Sequence, residues 1–227
     1  MSTPLLMSWS GGKDCLMALA QLLADARWQV AGLLTTVTTR YDRVSMHGIR
    51  RDVLHAQAEA LGLPLIEAAI PWPADNASYE AAHDKALQQA RERWPGLSHC
   101  AFGDIFLQDV RDYRERQLAR AGWRGVFPLW GSDTAELARR FHADGHRANV
   151  VCVDTTQLGT AFCGREFDAA FVDSLPEGVD PCGENGEFHT LSHASPLFSR
   201  PLTLQRGESV LRDERFQYVD FLLADAA

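Results

Sequence analysis

The stretch Leu5-Leu6-Met7-Ser8-Trp9-Ser10-Gly11-Gly12-Lys13-Asp14-Cys15 decides how the rest of the chain is read. Leu5 to Trp9 has the length and apolar content of a buried strand, and Leu16, Leu19, Ala20, Leu22 and Leu23 recur at helical spacing behind it. Gly11 and Gly12 therefore sit at a strand-to-helix turn. Glycines there let the backbone take positive φ and come close to a ligand, while the first N–H groups of the helix face the turn without an intrahelical partner. An anion is favoured in such a turn. The common phosphate loop G-x-x-x-x-G-K-[ST] is excluded, because it needs a glycine where Met7 stands and a hydroxyl where Asp14 stands. The stretch reads as a different phosphate cradle; an ordinary glycine-rich turn with a solvated lysine is the competing account.

Working outward, Trp28 to Thr36 reads as a second strand, which closes a β-α-β unit, with a polar loop from Thr35 to Arg43 at its end. Helices are expected over Arg50 to Leu61, stopped by Gly62 and Pro64, over Tyr79 to Arg93, and over Asp109 to Arg120. Leu63 to Ile70 and Ser98 to Phe102 are strands, and so is Gly125 to Trp130. Thr134 to Asp144 is a helix behind Ser132 or Asp133 as N-cap, Asn149 to Asp154 a strand, and Arg165 to Leu175 a helix. Pro176 to Thr190 is a loop rich in Gly, Pro and acids, and Ser195 to Leu223 a short antiparallel meander.

This alternation predicts an α/β protein. A Rossmann-like parallel sheet with helices on both faces occupies residues 1–127, and a smaller α+β part follows in residues 128–227. Ligands of such sheets bind at the carboxyl ends of the strands. The loops expected there are Ser10 to Cys15, Thr35 to His47, Pro71 to Ser78 and Gly103 to Asp109.

Composition narrows the function. The 30 acidic residues exceed the 22 basic ones, for a net charge of −8, and no Lys/Arg run breaks the balance, so nucleic acid is not the expected partner. The five cysteines contain no C-x-x-C pair and are odd in number, against both a zinc ribbon and a disulfide framework. Without a basic amino-terminal region or a membrane-length apolar run, the expectation is a cytoplasmic protein that does not engage a membrane. A homo-oligomer is left open.

A second constellation lies at Gly178-Val179-Asp180-Pro181-Cys182-Gly183-Glu184-Asn185-Gly186-Glu187-Phe188-His189-Thr190. Glycines at 183 and 186 allow tight turns that aim Glu184, Asn185 and Glu187 into one pocket, where carboxylates bind an amine, ammonium or Mg²⁺, or act as base. A surface loop of solvated acids with Asp180-Pro181 and Asn185-Gly186 as turn formers is the alternative.

The S-G-G-K-D loop resembles that of the ATP pyrophosphatases, or PP-loop superfamily, whose nucleotide domain is of the HUP type. Together with D-P-C-G-E-N-G-E-F-H-T from Asp180, it resembles the diphthine-ammonia ligase family. His47-Gly48-Ile49-Arg50, Gln57 to Pro64, Phe102 to Ile105, Pro128 to Gly131 and Gly164-Arg165 extend the likeness from about Leu5 to Thr190. The resemblance implies an ATP-dependent, AMP-forming ligase that adenylates a carboxylate and amidates it with ammonia, using Mg²⁺. The acceptor is protein-bound diphthine or a small-molecule carboxylate. Lys13, Glu184 and Glu187 are implied to be catalytic. Ser8, Ser10, Gly11, Gly12, Lys13, Asp14, Cys15, Thr35, Gly103 and Asp104 bind nucleotide, with Asp14 near Mg²⁺ or capping the helix. Cys182, Gly183, Glu184, Asn185, Gly186, Glu187 and His189 meet substrate. Cys15 departs from the family pattern, which has Ser there; a thiol is the weaker donor to phosphate. A regulatory module that binds nucleotide without turnover is the reading from another class. Arg111 and Arg114 belong by default to a solvated helix face, with phosphate contact as the alternative.

Overall fold

The computed structural model describes residues 2–224. Its first part runs β1 (Thr3–Ser8), α1 (Lys13–Ala24), β2 (Trp28–Thr38), β3 (Arg43–Val44), α2 (Arg51–Leu61), β4 (Leu65–Ile70), α3 (Asn76–Arg93), β5 (His99–Ala101), α4 (Gln108–Arg120) and β6 (Arg124–Val126). There follow α5 (Thr134–Ala143), β7 (Arg147–Asp154), α6 (Ala169–Asp173), β8 (Phe188–Ala194), β9 (Leu204–Arg212) and β10 (Phe216–Leu223). The five parallel strands are ordered β4-β2-β1-β5-β6, and the short β3 pairs antiparallel with the end of β2. Successive crossovers leave β1 first toward β4 and then toward β6. That reversal, between β1 and β5, is where a doubly wound sheet opens a crevice.

Side-chain alternation explains the layers. Leu5 and Met7 of β1, Leu33 and Val37 of β2 and Ala101 of β5 share one face, while Leu6, Leu34, Cys100 and Phe102 share the other. The second face is covered by Ala86, Leu87 and Ala90 of α3 and Leu118 of α4. The first is covered by α1 and α2, which also pack against an antiparallel sheet ordered β8-β7-β10-β9. Leu16 and Leu54 thus belong to the same apolar core as Val150, Phe188, Leu191 and Val219. The first two helices lie between the two sheets.

The expected fold class is the observed one, and most element types stand, with local corrections. The strand expected over Gly125 to Trp130 stops at Val126; Leu129 is fully buried in the turn that follows, and Pro128 has no N–H to continue a ladder. The helix expected from Arg165 shrinks to Ala169–Asp173 behind Asp168, because Glu166 is bridged to Asn149 in extended pairing. The loop expected to run to Thr190 ends earlier, since Phe188, His189 and Thr190 already belong to β8. The expected meander is a β9–β10 hairpin whose second strand pairs with β7, and β8 flanks β7 on its other edge. Asp133, not Ser132, caps α5, its carboxylate accepting from the Glu136 N–H at 2.8 Å. Among the described residues no helix is long and apolar enough to cross a membrane.

Phe141, Phe167, Phe171 and Phe188 form an aromatic cluster with ring centroids 5.2–5.9 Å apart, each ring at most 1% exposed. Phe188→Ala is expected to lower unfolding free energy by about 3–5 kcal/mol, read from urea denaturation, since it leaves a cavity between β8 and the floor of α1.

Candidate active site

The cradle is shaped by both sheets. Gly11 has φ +82°, and a Cβ there would lie 2.7 Å from Oε1 of Gln57; a Cβ on Gly12 would lie 3.1 Å from the Thr190 carbonyl. Gly11 is therefore favoured by its φ and by close approach, and Gly12, whose backbone is extended at φ −88°, by close approach alone. Gln57, fully buried on α2, donates to the carbonyls of Gly11 (3.0 Å) and Ser192 (2.6 Å) and accepts from the Trp9 indole N–H (3.0 Å). The Ser192 N–H donates to the Gly11 carbonyl at 2.8 Å, and the Lys13 N–H donates to the Thr190 hydroxyl at 3.0 Å. β8 thus holds the cradle directly through its backbone and through Thr190.

Lys13 is 2% exposed. Its ammonium donates to both oxygens of Asp14 at 2.9 Å and to the Cys182 carbonyl, and it lies 5.4 Å from the Phe167 ring centre and 5.3 Å from that of Phe188. Burial opposes the charge, but Asp14, with help from Cys182 and Glu184, outweighs it and holds the ammonium above its ordinary pKa. Burial pushes the Asp14 carboxyl up despite Lys13 beside it. An anion arriving at Lys13 competes with Asp14 for a lysine that is already charged.

Two adjoining cavities open at the carboxyl end of the parallel sheet, of about 220 Å³ and about 170 Å³. Ser8, Ser10, His47, Phe102 and Arg114 border both. Lys13, Asp14, Cys15, Gly103 and Asp104 line the larger one on the side of the parallel sheet, and Gly183, Glu184, Gly186, His189 and Thr190 line it on the other. Thr35 lines the smaller one, its hydroxyl oxygen buried without a hydrogen-bond partner among the described residues. Gly103 is needed by contact, since a Cβ there would sit 2.8–2.9 Å from the backbone of Asp14 and Cys15. The expected nucleotide and substrate stretches therefore face one another across a single crevice.

Cys182, Asn185 and Glu187 do not border either cavity. Glu187, 2% exposed, accepts from the Asp180 N–H at 2.9 Å and from the Asn185 side chain at 3.0 Å, and Asp180 accepts from the N–H groups of Cys182 and Glu184. These groups fix the shape of the loop. Glu184 reaches across it and accepts from the N–H groups of Ile105 (2.7 Å) and Phe106 (3.3 Å), tying the loop to the segment after β5. Burial raises its carboxyl, against those hydrogen bonds. The Cys15 and Cys182 thiols are pushed up by burial to about 11 and about 12, so both stay protonated at neutral pH and neither is a thiolate nucleophile.

Sequence reasoning left His47, Gln57, Phe102 and Thr190 without a role, and placed Arg114 by default on a solvated helix face with phosphate contact as the alternative. His47 and His189 face each other with ring centres 4.5 Å apart on the cavity wall, both held neutral, chiefly by burial. His47 lies in the turn after β3 and His189 in β8, a proximity no local pattern announces. Asp104 and Arg114 form an ion pair at 2.6 Å.

The model of the diphthamide synthase N-terminal domain matches residues 4–124, and that of the diphthamide synthase C-terminal domain matches residues 133–219. The chain is similar to a diphthine–ammonia ligase of Danio rerio, 26% identical over 239 residues that cover 94% of this chain and 91% of that protein. It is also similar to a diphthine–ammonia ligase of Schizosaccharomyces pombe, 24% identical over 182 residues, or 74% of this chain and 30% of that one.

Gln57→Ala strands a buried indole N–H and the Ser192 carbonyl, and is expected to cost about 2–4 kcal/mol in urea unfolding. Stability should also fall as pH drops from about 6.5 toward about 4. Folded His189 resists protonation until about 4, whereas the unfolded chain takes that proton near 6.5, so protonation favours unfolding across this window. His189→Gln should flatten that slope in thermal melts recorded from pH 4 to 7.

Proposed function

The chain belongs to the diphthamide synthase family, and from that premise we propose that it is an ATP-dependent, AMP-forming amide ligase that adenylates a carboxylate and amidates it with ammonia. The observation that carries this reading is the position of Lys13: a buried ammonium at the start of α1, at the strand-order reversal, facing the Gly183–Thr190 segment across one cavity. The cavity-lining groups suit a nucleoside triphosphate. Lys13 and the amino end of α1 are electropositive, Gly103 allows close approach of backbone, and the Thr35 hydroxyl is a buried group in want of a partner.

Bound ATP supplies an AMP leaving group for a carboxylate that is otherwise a poor electrophile. Lys13 neutralises the departing pyrophosphate, a contribution that grows as charge develops and that the dry setting strengthens. Ser8, Ser10, Gly11, Gly12 and Cys15 line or shape the phosphate end, and Thr35 the nucleoside end. Glu184 and His189 border the acceptor side, with Gly183 and Gly186 giving access. Cys182, Asn185 and Glu187 act at one remove, the first through its carbonyl on Lys13 and the others by fixing the loop.

Among the described residues no group of three or more His, Cys, Asp or Glu is placed to hold a metal ion. Asp14, with Asp104 nearby on the same cavity wall, would hold Mg²⁺, and the ion would neutralise phosphate charge there. The two relatives are named for diphthine and ammonia, which supports a diphthine-bearing protein as acceptor; a small carboxylate is the other acceptor class.

Incubation with ATP, Mg²⁺, ammonium and diphthine-bearing elongation factor 2 should yield AMP and pyrophosphate together with an amide on the acceptor. Lys13→Ala should reduce the rate at least about 100-fold. ADP and phosphate as products would overturn the proposal, and nucleotide binding without cleavage in the presence of the acceptor would favour the regulatory module.

A further inference from the structure

Arg114 stands where the two cavities meet. It projects from α4 onto the wall they share, where among the described residues it is the sole Lys or Arg, whereas Lys13 borders only the larger cavity. Asp104 holds one edge of its guanidinium through Nε at 2.6 Å and Nη2 at 3.1 Å, and the plane rests over the Phe102 ring at 4.5 Å. The side chain is still 30% exposed. A guanidinium carries five N–H groups in a planar fork, so an edge fixed on a carboxylate leaves the opposite edge free and already oriented.

The compartments on either side differ in character. The larger has Lys13 and the electropositive start of α1, with the carboxylates of Asp14, Asp104 and Glu184 beside them, Asp14 paired to Lys13 and Asp104 to Arg114. The smaller is bordered by Leu34, Val44 and Tyr79, by the unpartnered Thr35 hydroxyl, and by His83, which burial lowers to about 4 and so keeps neutral. One compartment suits a polyanion and the other an uncharged ring.

We propose that Arg114 is the α-phosphate contact, gripping the nucleotide at the junction with its pyrophosphate beside Lys13 and its nucleoside in the smaller cavity. The inference rests on the ATP reading above and assigns a division of labour within it. When an acceptor carboxylate oxygen bonds to the α-phosphorus, the bond to the bridging oxygen breaks and its electron pair leaves with pyrophosphate. Lys13 stays with the leaving half and Arg114 with the AMP half. Asp104 is then a positioning residue, which keeps the fork from collapsing onto the polyanion side.

The test is calorimetric binding of α,β-methylene-ATP, AMP and inorganic pyrophosphate, each with Mg²⁺, to the full chain. Arg114→Gln should weaken the ATP analogue and AMP by about tenfold or more, the loss of a charge-assisted bidentate contact, and leave pyrophosphate within about twofold. Lys13→Ala should show the reverse order, with pyrophosphate hit hardest. Arg114→Lys, which keeps the charge without the fork, should recover only part of the AMP affinity. Equal weakening of all three ligands by Arg114→Gln would mark a merely structural role and overturn the inference, as would unchanged AMP binding. Wild-type chain that bound none of the three would overturn the nucleotide reading itself.

Discussion

Burying the ammonium of Lys13 is the constraint on which the rest of the molecule depends. A charge taken out of water costs several kcal/mol unless hydrogen bonds and opposite charge replace its solvent. Here Asp14 comes from the same helical turn, but the other compensations come from far along the chain. The Cys182 carbonyl caps the ammonium, and the faces of Phe167 and Phe188 lie beneath it. A cation over a desolvated aromatic face gains on the order of 2 kcal/mol. The parallel sheet alone would leave this lysine in water, free to sample many rotamers. The C-terminal residues convert it into a fixed charge at the edge of a cavity.

The same logic explains Gln57 and β8. A glycine-rich turn is conformationally costly to fix, because its glycines lose the most backbone freedom on folding. Gln57, Thr190 and Ser192 take up that cost with hydrogen bonds to Trp9, Gly11 and Lys13. Preorganisation of this kind lets the site meet a developing charge without reorganising at the moment of reaction. It also joins the halves: strand β8 supplies both cavity wall and cradle support.

Much of the fold was legible because local patterns and global layers agree. The apolar run before Ser10 and the helical spacing after it located the first crossover, and Gly62-Pro64 marked a real helix end, whereas α3 starts at Asn76 behind its Asp75 cap, three residues before the expected Tyr79. The misreadings share a cause. At Gly125 to Trp130 and Arg165 to Leu175, apolar residues bury themselves in turns against the core, so burial without regular structure produced the same signal as a strand or helix. At Phe188 to Thr190 the reverse held: glycine-rich neighbours suggested a loop where pairing with β7 makes a strand.

The sequence by itself determined the chemistry available to this protein: a glycine-rich strand-turn-helix cradle with a lysine, and an acidic glycine-rich segment near position 180. Those are properties of short stretches, set by residue type and spacing. Only the tertiary structure decided which of those groups face the ligand. It turned Glu184 toward Ile105, folded Glu187 back onto its own loop, and set His47 against His189 and Arg114 on a wall between two cavities. The reason is physical: the direction of a side chain in a turn depends on which donors need an acceptor, and for Glu184 those donors, the N–H groups of Ile105 and Phe106, lie 79 and 78 residues away in the chain.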